Sequence, residues 1–343
     1  MTALSAPRFV FDRAPLRVYW EITRACDLAC RHCRAAARPV ADPAELTTAE
    51  AYALLDRIRA FVPADAAPPH LVLTGGDPLK RADLFDLISA ARARGLKVSV
   101  SPSATPLLTP ATIARFKAWG VEAISLSVDG ASAPAHDAIR GFAGTFARTL
   151  EAARMAELVA LPVQVNTLVA AETLGALPAI YELVRDMAAA RWSLFFLVTV
   201  GRGTALQSVT PSEADGVMRW IAAFPRAGRP VVTTTEAPHF RRIRRHASGV
   251  RDGNGILFIA HTGDITPAGF MPAVAGNVRR DDVVRIYREA PLFQALRAPD
   301  GFGGRCGRCD LRWECGGSRS RALAASGDPL AEDPLCSYIP GMQ

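Results

Sequence analysis

Three cysteines within eight residues constrain this chain more than any other feature: Glu21-Ile-Thr-Arg-Ala-Cys26-Asp-Leu-Ala-Cys30-Arg-His32-Cys33. They follow a short apolar run in the spacing C-x3-C-x2-C, too tight to be core filling. A 4Fe–4S cube held by three thiolates keeps one iron without a protein ligand, and that open iron can bind a small molecule through an amine and a carboxylate. The plainer alternative is a zinc knuckle lacking its fourth ligand, whereas structural zinc needs four closed ligands. The remaining cysteines, Cys306, Cys309, Cys315 and Cys336, bring the total to seven, in the spacing C-x2-C-x5-C-x20-C. An odd total argues against a closed disulfide framework and for metal or catalytic use of thiols in a reducing compartment. Four thiolates close a site. Such a site is an electron relay or a staple rather than a second open cluster, and zinc held by four cysteines uses similar spacings.

The chain has 343 residues, half of them hydrophobic and 21% charged, which suits one large α/β barrel with a small appendage. Apolar runs alternate with amphipathic segments from Leu16 to about Gly203, the pattern of repeated βα units on a parallel sheet. Six strands are expected: Leu16–Ile22, His70–Thr74, Leu96–Ser101, Ala123–Val128, Val163–Val169 and Ser193–Thr199, each apolar enough to be covered on both faces. Thr47 with Glu50 forms a capping box, Thr109 with Pro110 starts a helix, and Gly95 and Gly120 end helices. Ile256–Ala260 and Asp264–Pro267 read as a hairpin and Arg280–Leu296 as one helix. The expected division is a barrel over 1–209, a linker helix and basic segment over 210–255, and a cysteine-rich domain over 256–343. After Pro299 little apolar material remains, so a metal cluster is the natural staple.

No segment reaches the apolar length a bilayer requires, and the N-terminus has no apolar signal-peptide core, so a cytoplasmic protein is expected. The formal charge of +7 falls to about +4 once the charges of two clusters are included. That permits an acidic substrate. No aromatic-interleaved basic stripe points to nucleic acid.

In parallel α/β architectures ligands sit at the carboxyl ends of the strands, and here those ends are polar or glycine. Thr74-Gly75-Gly76-Asp77-Pro78 follows the second strand, where two glycines allow close backbone approach and offer peptide groups to an amine. By itself such a run is an ordinary turn. Ser103 follows the third strand, and the fourth ends in Ser125-Leu-Ser127-Val-Asp129-Gly130, with His136-Asp137 and Arg140 beyond. Hydroxyls suit a ribose and a guanidinium suits a carboxylate, while Asp129 reads equally as a strand-end turn and His136 equally as a helix cap. Asn166, on the fifth strand, is either a satisfied structural amide or a ligand contact. Between barrel and tail lies Glu236-Ala-Pro-His239-Phe-Arg241-Arg242-Ile-Arg-Arg-His246. It is either a solvated face or a cationic clamp on a carboxylate-rich substrate or acidic leader peptide, with His239, Arg241 and Arg242 as substrate candidates.

The cysteine triplet with His32 directly before its third member resembles the radical SAM superfamily. Gly75-Gly76-Asp77-Pro78 resembles that family's GGEP-type motif with Asp in place of Glu, and Ser127-x-Asp129-Gly130…His136-Asp137…Arg140 resembles the corresponding family segment. The resemblance makes Cys26, Cys30 and Cys33 cluster ligands, with His32 beside them, and puts Gly75, Gly76, Asp77, Ser127 and Arg140 around S-adenosylmethionine; Ser103 and Asn166 join them as strand-end candidates for that cofactor. Cys306, Cys309, Cys315 and Cys336 resemble the auxiliary-cluster region of the SPASM/twitch group. The chain departs from that group's two-auxiliary-cluster pattern, having Ala260, His261 and Ala268 at the hairpin and Ser318 and Arg319 beyond Cys315. One auxiliary 4Fe–4S cluster is all the thiols allow. The closing run from Cys315 to Cys336 is similar to members that modify tetrapyrroles in heme and heme d1 formation; other relatives mature ribosomally made peptides. The resemblance therefore implies a partial (β/α)6 TIM-like barrel with a twitch-like C-terminal domain. It implies an enzyme that cleaves S-adenosylmethionine to a 5′-deoxyadenosyl radical and takes hydrogen from an anionic small molecule or a peptide. An electron donor such as flavodoxin or ferredoxin is implied as partner. The non-enzyme rival is a zinc-stapled binding protein on a vestigial barrel.

Overall fold

The computed structural model describes residues 10–225, 227–244 and 249–341. Strands β1 (Arg17–Glu21), β2 (His70–Thr74), β3 (Val98–Val100), β4 (Ala123–Ser127), β5 (Val163–Val169), β6 (Arg191–Phe196) and β7 (Val231–Thr235) lie side by side in chain order, all parallel. Strand β8 (Ile256–Ile259) then returns to pair with β1 in parallel register, Arg17 opposite Ile256, and β9 (Asp264–Thr266) and β10 (Gly276–Asn277) continue antiparallel beyond it. The helices are α1 (Thr48–Arg59), α2 (Leu84–Ala93), α3 (Pro110–Ala118), α4 (Ala133–Arg140), α5 (Thr145–Leu158), α6 (Leu177–Asp186), α7 (Pro211–Ala222), α8 (Phe240–Ile243), α9 (Val283–Glu289), α10 (Pro291–Arg297), α11 (Gly304–Arg308) and α12 (Arg319–Ser326).

Two departures from the sequence reading have simple causes. The segment 210–255, expected as a linker, supplies β7, which extends the parallel sheet beside β6 with Arg191 opposite Val231. The expected helix over 280–296 is two, because Pro291 has no N–H to continue α9 and forces Ala290 into an extended conformation at φ −61°, ψ 133°.

Strand alternation decides what the barrel contains. Val18, Trp20, Leu71, Leu73, Ile124, Leu126, Val163, Val165, Trp192 and Leu194 are all buried in the main core beneath the helices. Their neighbours on the opposite face are Arg17, Tyr19, Ser125, Ser127, Gln164, Asn166 and Arg191, and these are only partly buried. The strands are therefore not apolar on both faces as expected: the outer face packs, while the inner one lines a polar lumen. The capping boxes Thr47–Glu50 and Thr210–Glu213 fix the starts of α1 and α7.

Candidate active site: two cysteine sets at the strand ends

Cys26, Cys30 and Cys33 lie on the loop that leaves β1, and their thiols share a small apolar cluster with Leu28, Ala37 and Phe142. The loop is held as a closed unit. Cys26 N–H donates to Arg38 O at 2.7 Å and Cys33 N–H to Cys30 O at 3.2 Å. Arg202, beyond β6, reaches back with Nε on Cys30 O at 2.8 Å and Nη1 on Ala37 O at 2.9 Å. Gly201 beside it has φ +56°, and a Cβ there would stand 2.4 Å from Arg34 O. Burial pushes the Cys26 and Cys30 thiols up, with Arg140 opposing the shift at Cys30. A cluster bound as thiolates must therefore displace protons on assembly.

The Gly75-Gly76-Asp77 turn packs directly on this loop. A Cβ on Gly76 would stand 2.3 Å from Ala25 O, so only glycine fits. Gly76 N–H donates to Thr23 O at 2.9 Å and Asp77 N–H to Ala25 O at 2.7 Å. These N–H groups brace the cysteine loop, leaving carbonyl lone pairs as what the turn can offer an amine. Asp77 is fully buried and accepts from Thr105 Oγ1 at 2.7 Å, Leu79 N at 3.1 Å and Ser103 N at 3.3 Å. Ser103 Oγ lies 3.1 Å from Gly76 O and 3.6 Å from Cys26 Sγ, which ties the third strand's end to the first cysteine.

Arg140 sits at the centre of the site's electrostatics. Its Nη1 is 3.2 Å from Asp129 Oδ2 and 3.2 Å from His32 Nε2. Arginine only donates, so His32 Nε2 accepts and its proton resides on Nδ1. Burial pushes the Asp129 carboxyl up, but His32 and Arg140 outweigh it and hold the group below the usual carboxylate range. Asp129 also accepts from Leu168 N at 2.8 Å, and its own N–H donates to His136 Nδ1 at 3.1 Å. His136 thus orients the strand-end turn. Ser127 and Asn166 face one another as register partners on β4 and β5, with Gln164 Nε2 donating to Asn166 Oδ1 at 2.8 Å.

The second set surrounds a pocket lined by Cys306, Cys309, Cys315, Cys336 and His239. Sulfur acceptors there already have donors: Leu311 N on Cys309, Gly317 N on Cys315 and Asp333 N on Cys306, each at 3.4 Å, with Arg319 Nη2 on Cys306 at 3.5 Å. Among the described residues no three His, Cys, Asp or Glu side chains converge to hold a single metal ion. Zinc at about 2.3 Å from sulfur needs its thiolates nearly in contact, whereas a 4Fe–4S cube takes four thiolates around a larger space. Burial pushes the Cys315 thiol up to about 12 and the Cys336 thiol up to about 11, so this assembly too must displace protons.

Residues 20–184 match the family described as the Radical SAM superfamily. Over 357 residues the chain is 36% identical to the AdoMet-dependent heme synthase of Nitratidesulfovibrio vulgaris, covering 97% of this chain and 96% of that protein. The chain belongs to the radical SAM superfamily. It is also 31% identical over 337 residues to the PqqA peptide cyclase of Ruegeria pomeroyi, covering 95% of this chain and 88% of that protein. The solved structure of native anSMEcpe with bound AdoMet has the same fold, with a TM-score of 0.73 at 15% identity over 94% of each chain. This radical SAM enzyme therefore uses a 4Fe–4S cluster with S-adenosylmethionine, and four further cysteines line a second pocket in its tail.

The basic segment expected as a clamp or a solvated face has partners within the protein. Arg241 donates to Glu314 O at 2.9 Å and Val250 O at 2.7 Å, and Arg242 is paired with Asp215 at 2.6 Å, while His239 is 1% exposed. These guanidiniums hold the protein together around the auxiliary site, together with the buried Arg251 and Arg319. Positive charge there would offset the excess negative charge of a cluster held by four thiolates. Arg245 and His246 lie outside the described residues. Among the described residues no helix is long and apolar enough to cross a membrane.

Two further networks escape a sequence reading. Glu21, the last residue of β1, is 2.9 Å from Arg34 and 2.6 Å from His261, which stands where two-auxiliary-cluster relatives were expected to carry a ligand. Burial pushes the Glu21 carboxyl up, and Arg34 with His261 more than offsets it, so the group stays below its ordinary range. At the end of β7, Glu236 has a left-handed φ of +58°, its carbonyl accepting from Arg321 at 2.6 Å and its carboxyl accepting from Ser318 Oγ. Burial and the neighbouring Asp252 push that carboxyl up to about 8.

An unfolded Glu loses its proton near 4.3, so between there and about 8 the native state holds the extra proton. The contribution is whole at low pH and is lost as pH rises through that window. Glu236→Gln keeps the shape without the charge. Its unfolding midpoint is expected to rise relative to wild type between pH 5 and 9, followed by anaerobic chemical denaturation at several pH values; parallel profiles would remove the argument.

Proposed function

We propose that this enzyme acts on a tetrapyrrole bearing several carboxylates, in the formation of a heme-type product. The observation that carries the reading is the near full-length similarity to a protein named AdoMet-dependent heme synthase, at 36% identity. When bound, the first cluster with S-adenosylmethionine supplies a 5′-deoxyadenosyl radical that abstracts hydrogen from the substrate. The chain's own residues do the placing. Arg140 and Ser127 orient the carboxylate and hydroxyls of S-adenosylmethionine, the Gly75–Asp77 carbonyls take its amine, and Ser103 and Asn166 line the same strand ends. His32 and Arg202 keep the cysteine loop in register with them.

The lumen supports an anionic substrate. Arg17 on β1 and Arg191 on β6 both point inward and are only partly buried, close enough that Arg17 depresses Arg191 beyond the effect of its burial. No carboxylate or carbonyl meets either guanidinium among the described residues. Arg17 and Arg191 open β1 and β6 and so stand at the amino ends of the strands, below the cysteine loop; two cations beside Tyr19 there favour an anionic group that reaches down the lumen. The cysteine-rich part of 256–343 serves as the auxiliary-cluster unit, while 210–255 adds β7 to the sheet begun in 1–209. An external flavodoxin or ferredoxin supplies electrons. Two thiol-rich cluster sites favour the reducing cytoplasm.

The test is anaerobic incubation of reconstituted protein with siroheme-derived and iron-coproporphyrin-type substrates, following 5′-deoxyadenosine together with mass loss from the tetrapyrrole. Arg17→Ala and Arg191→Ala are each expected to weaken tetrapyrrole binding by about tenfold, the value of one charge-assisted contact. If no tetrapyrrole binds and a small peptide is modified instead, the reading passes to a peptide maturase, the class of the PqqA peptide cyclase relative.

A further inference from the structure

The auxiliary cavity holds one side chain that its cysteines leave unexplained. His239 is 1% exposed, lines the same cavity as Cys306, Cys309, Cys315 and Cys336, and has no hydrogen-bond partner on either ring nitrogen among the described residues. Nδ1 stands 3.8 Å from Asp333 Oδ2, beyond hydrogen-bond reach. That carboxylate is already occupied by Arg321 Nη1 at 3.1 and 3.2 Å, Ser318 N at 2.8 Å and Leu335 N at 3.0 Å. A buried polar atom without a partner is destabilising, and a histidine among cysteines is an expensive filler where a leucine would do. Neutral or protonated, the ring carries at least one N–H.

We propose that His239 donates an N–H to a sulfur of the auxiliary cluster and thereby helps set its reduction potential, as a positioning residue and not as a ligand. Four thiolates already complete the cube, so no iron corner is left for an imidazole. The thiolates also have their own donors: Cys306, Cys309 and Cys315 through the contacts above, and Cys336 through the backbone of Tyr338. An N–H in this cavity would meet a thiolate or a sulfide of the cluster, and Cys306 shows that one thiolate can take two donors. A hydrogen bond to cluster sulfur favours the reduced, more negative state and raises the potential. The inference rests on the auxiliary cluster and is independent of the substrate.

The experiment is an EPR-monitored redox titration of full-length, two-cluster protein as wild type, His239→Leu and His239→Gln. The component that S-adenosylmethionine leaves unshifted belongs to the auxiliary cluster. Its midpoint is expected to move to more negative potential in His239→Leu and back toward wild type in His239→Gln, which keeps an N–H, with about eight irons per chain throughout. An unchanged midpoint in His239→Leu would overturn the proposal. Loss of about four irons in both variants would do so as well, because the residue would then be needed for assembly rather than tuning.

Discussion

Replacing Cys26, Cys30 or Cys33 with alanine is expected to abolish 5′-deoxyadenosine formation and to lower bound iron from about eight to about four per chain, one cube lost and one kept. The three thiols sit on a single loop after β1 and share no ligand with the tail set. Two thiolates cannot hold the cube in the pose that leaves one iron open, so the loss falls on chemistry as well as on metal. The loop itself should survive. Its shape comes from the Cys26–Arg38 and Cys33–Cys30 backbone bonds, the Arg202 contacts and the packed Gly76, none of which uses a thiol. Iron assay, visible absorbance and 5′-deoxyadenosine formation under a strong reductant read the outcome. Full activity in any one variant would contradict the ligand assignment.

What the sequence disclosed and what it hid follow from the range of the interactions involved. The cysteine triplet is encoded within eight residues, and β1 to β6 appear because each is a short apolar run between helix signals. Strand β7 was hidden because Val231-Val-Thr-Thr-Thr235 carries hydroxyls on the lumen face and sits in a segment whose arginines suggested surface. The arginine run misled for a related reason: a charge pattern says nothing of which partner closes over it. Arg241 finds Glu314 O across 73 positions, and His261 finds Glu21 across 240. Neither contact has a local sign. The same holds for Arg17 and Arg191, which are unremarkable until the sheet curls and sets β1 and β6 facing one lumen. Residues named from motif spacing, such as Gly76, Ser103 and Arg140, do gather beside the cysteine loop, although Gly76 and Asp77 spend their N–H groups on that loop rather than on a ligand.

The second large effect is expected in the tail, where Cys309→Ala should remove about four irons per chain and loosen the C-terminal segment while leaving cleavage of S-adenosylmethionine at the first site. The tail has little apolar substance of its own: Leu323 and Leu330 only edge a small cluster of Ala268, Met271 and Leu296. Its order depends on polar contacts, with Arg321 bound to Asp333 and to the Glu236 carbonyl and Ser320 bound to Asp252 at 2.8 Å. An open site with three thiolates no longer ties Cys306, Cys315 and Cys336 into one body, so these contacts lose the constraint that holds them in register. Arg321 and Ser318 also press the tail onto the ends of β6 and β7, where the lumen opens. A loosened tail admits water to the substrate side but leaves the β1 loop untouched. 5′-Deoxyadenosine should then form without matching substrate turnover, and limited proteolysis should cut the chain between Pro299 and Cys336 faster than in wild type. Unchanged iron content in Cys309→Ala would remove Cys309 from the ligand set and with it this account of the tail.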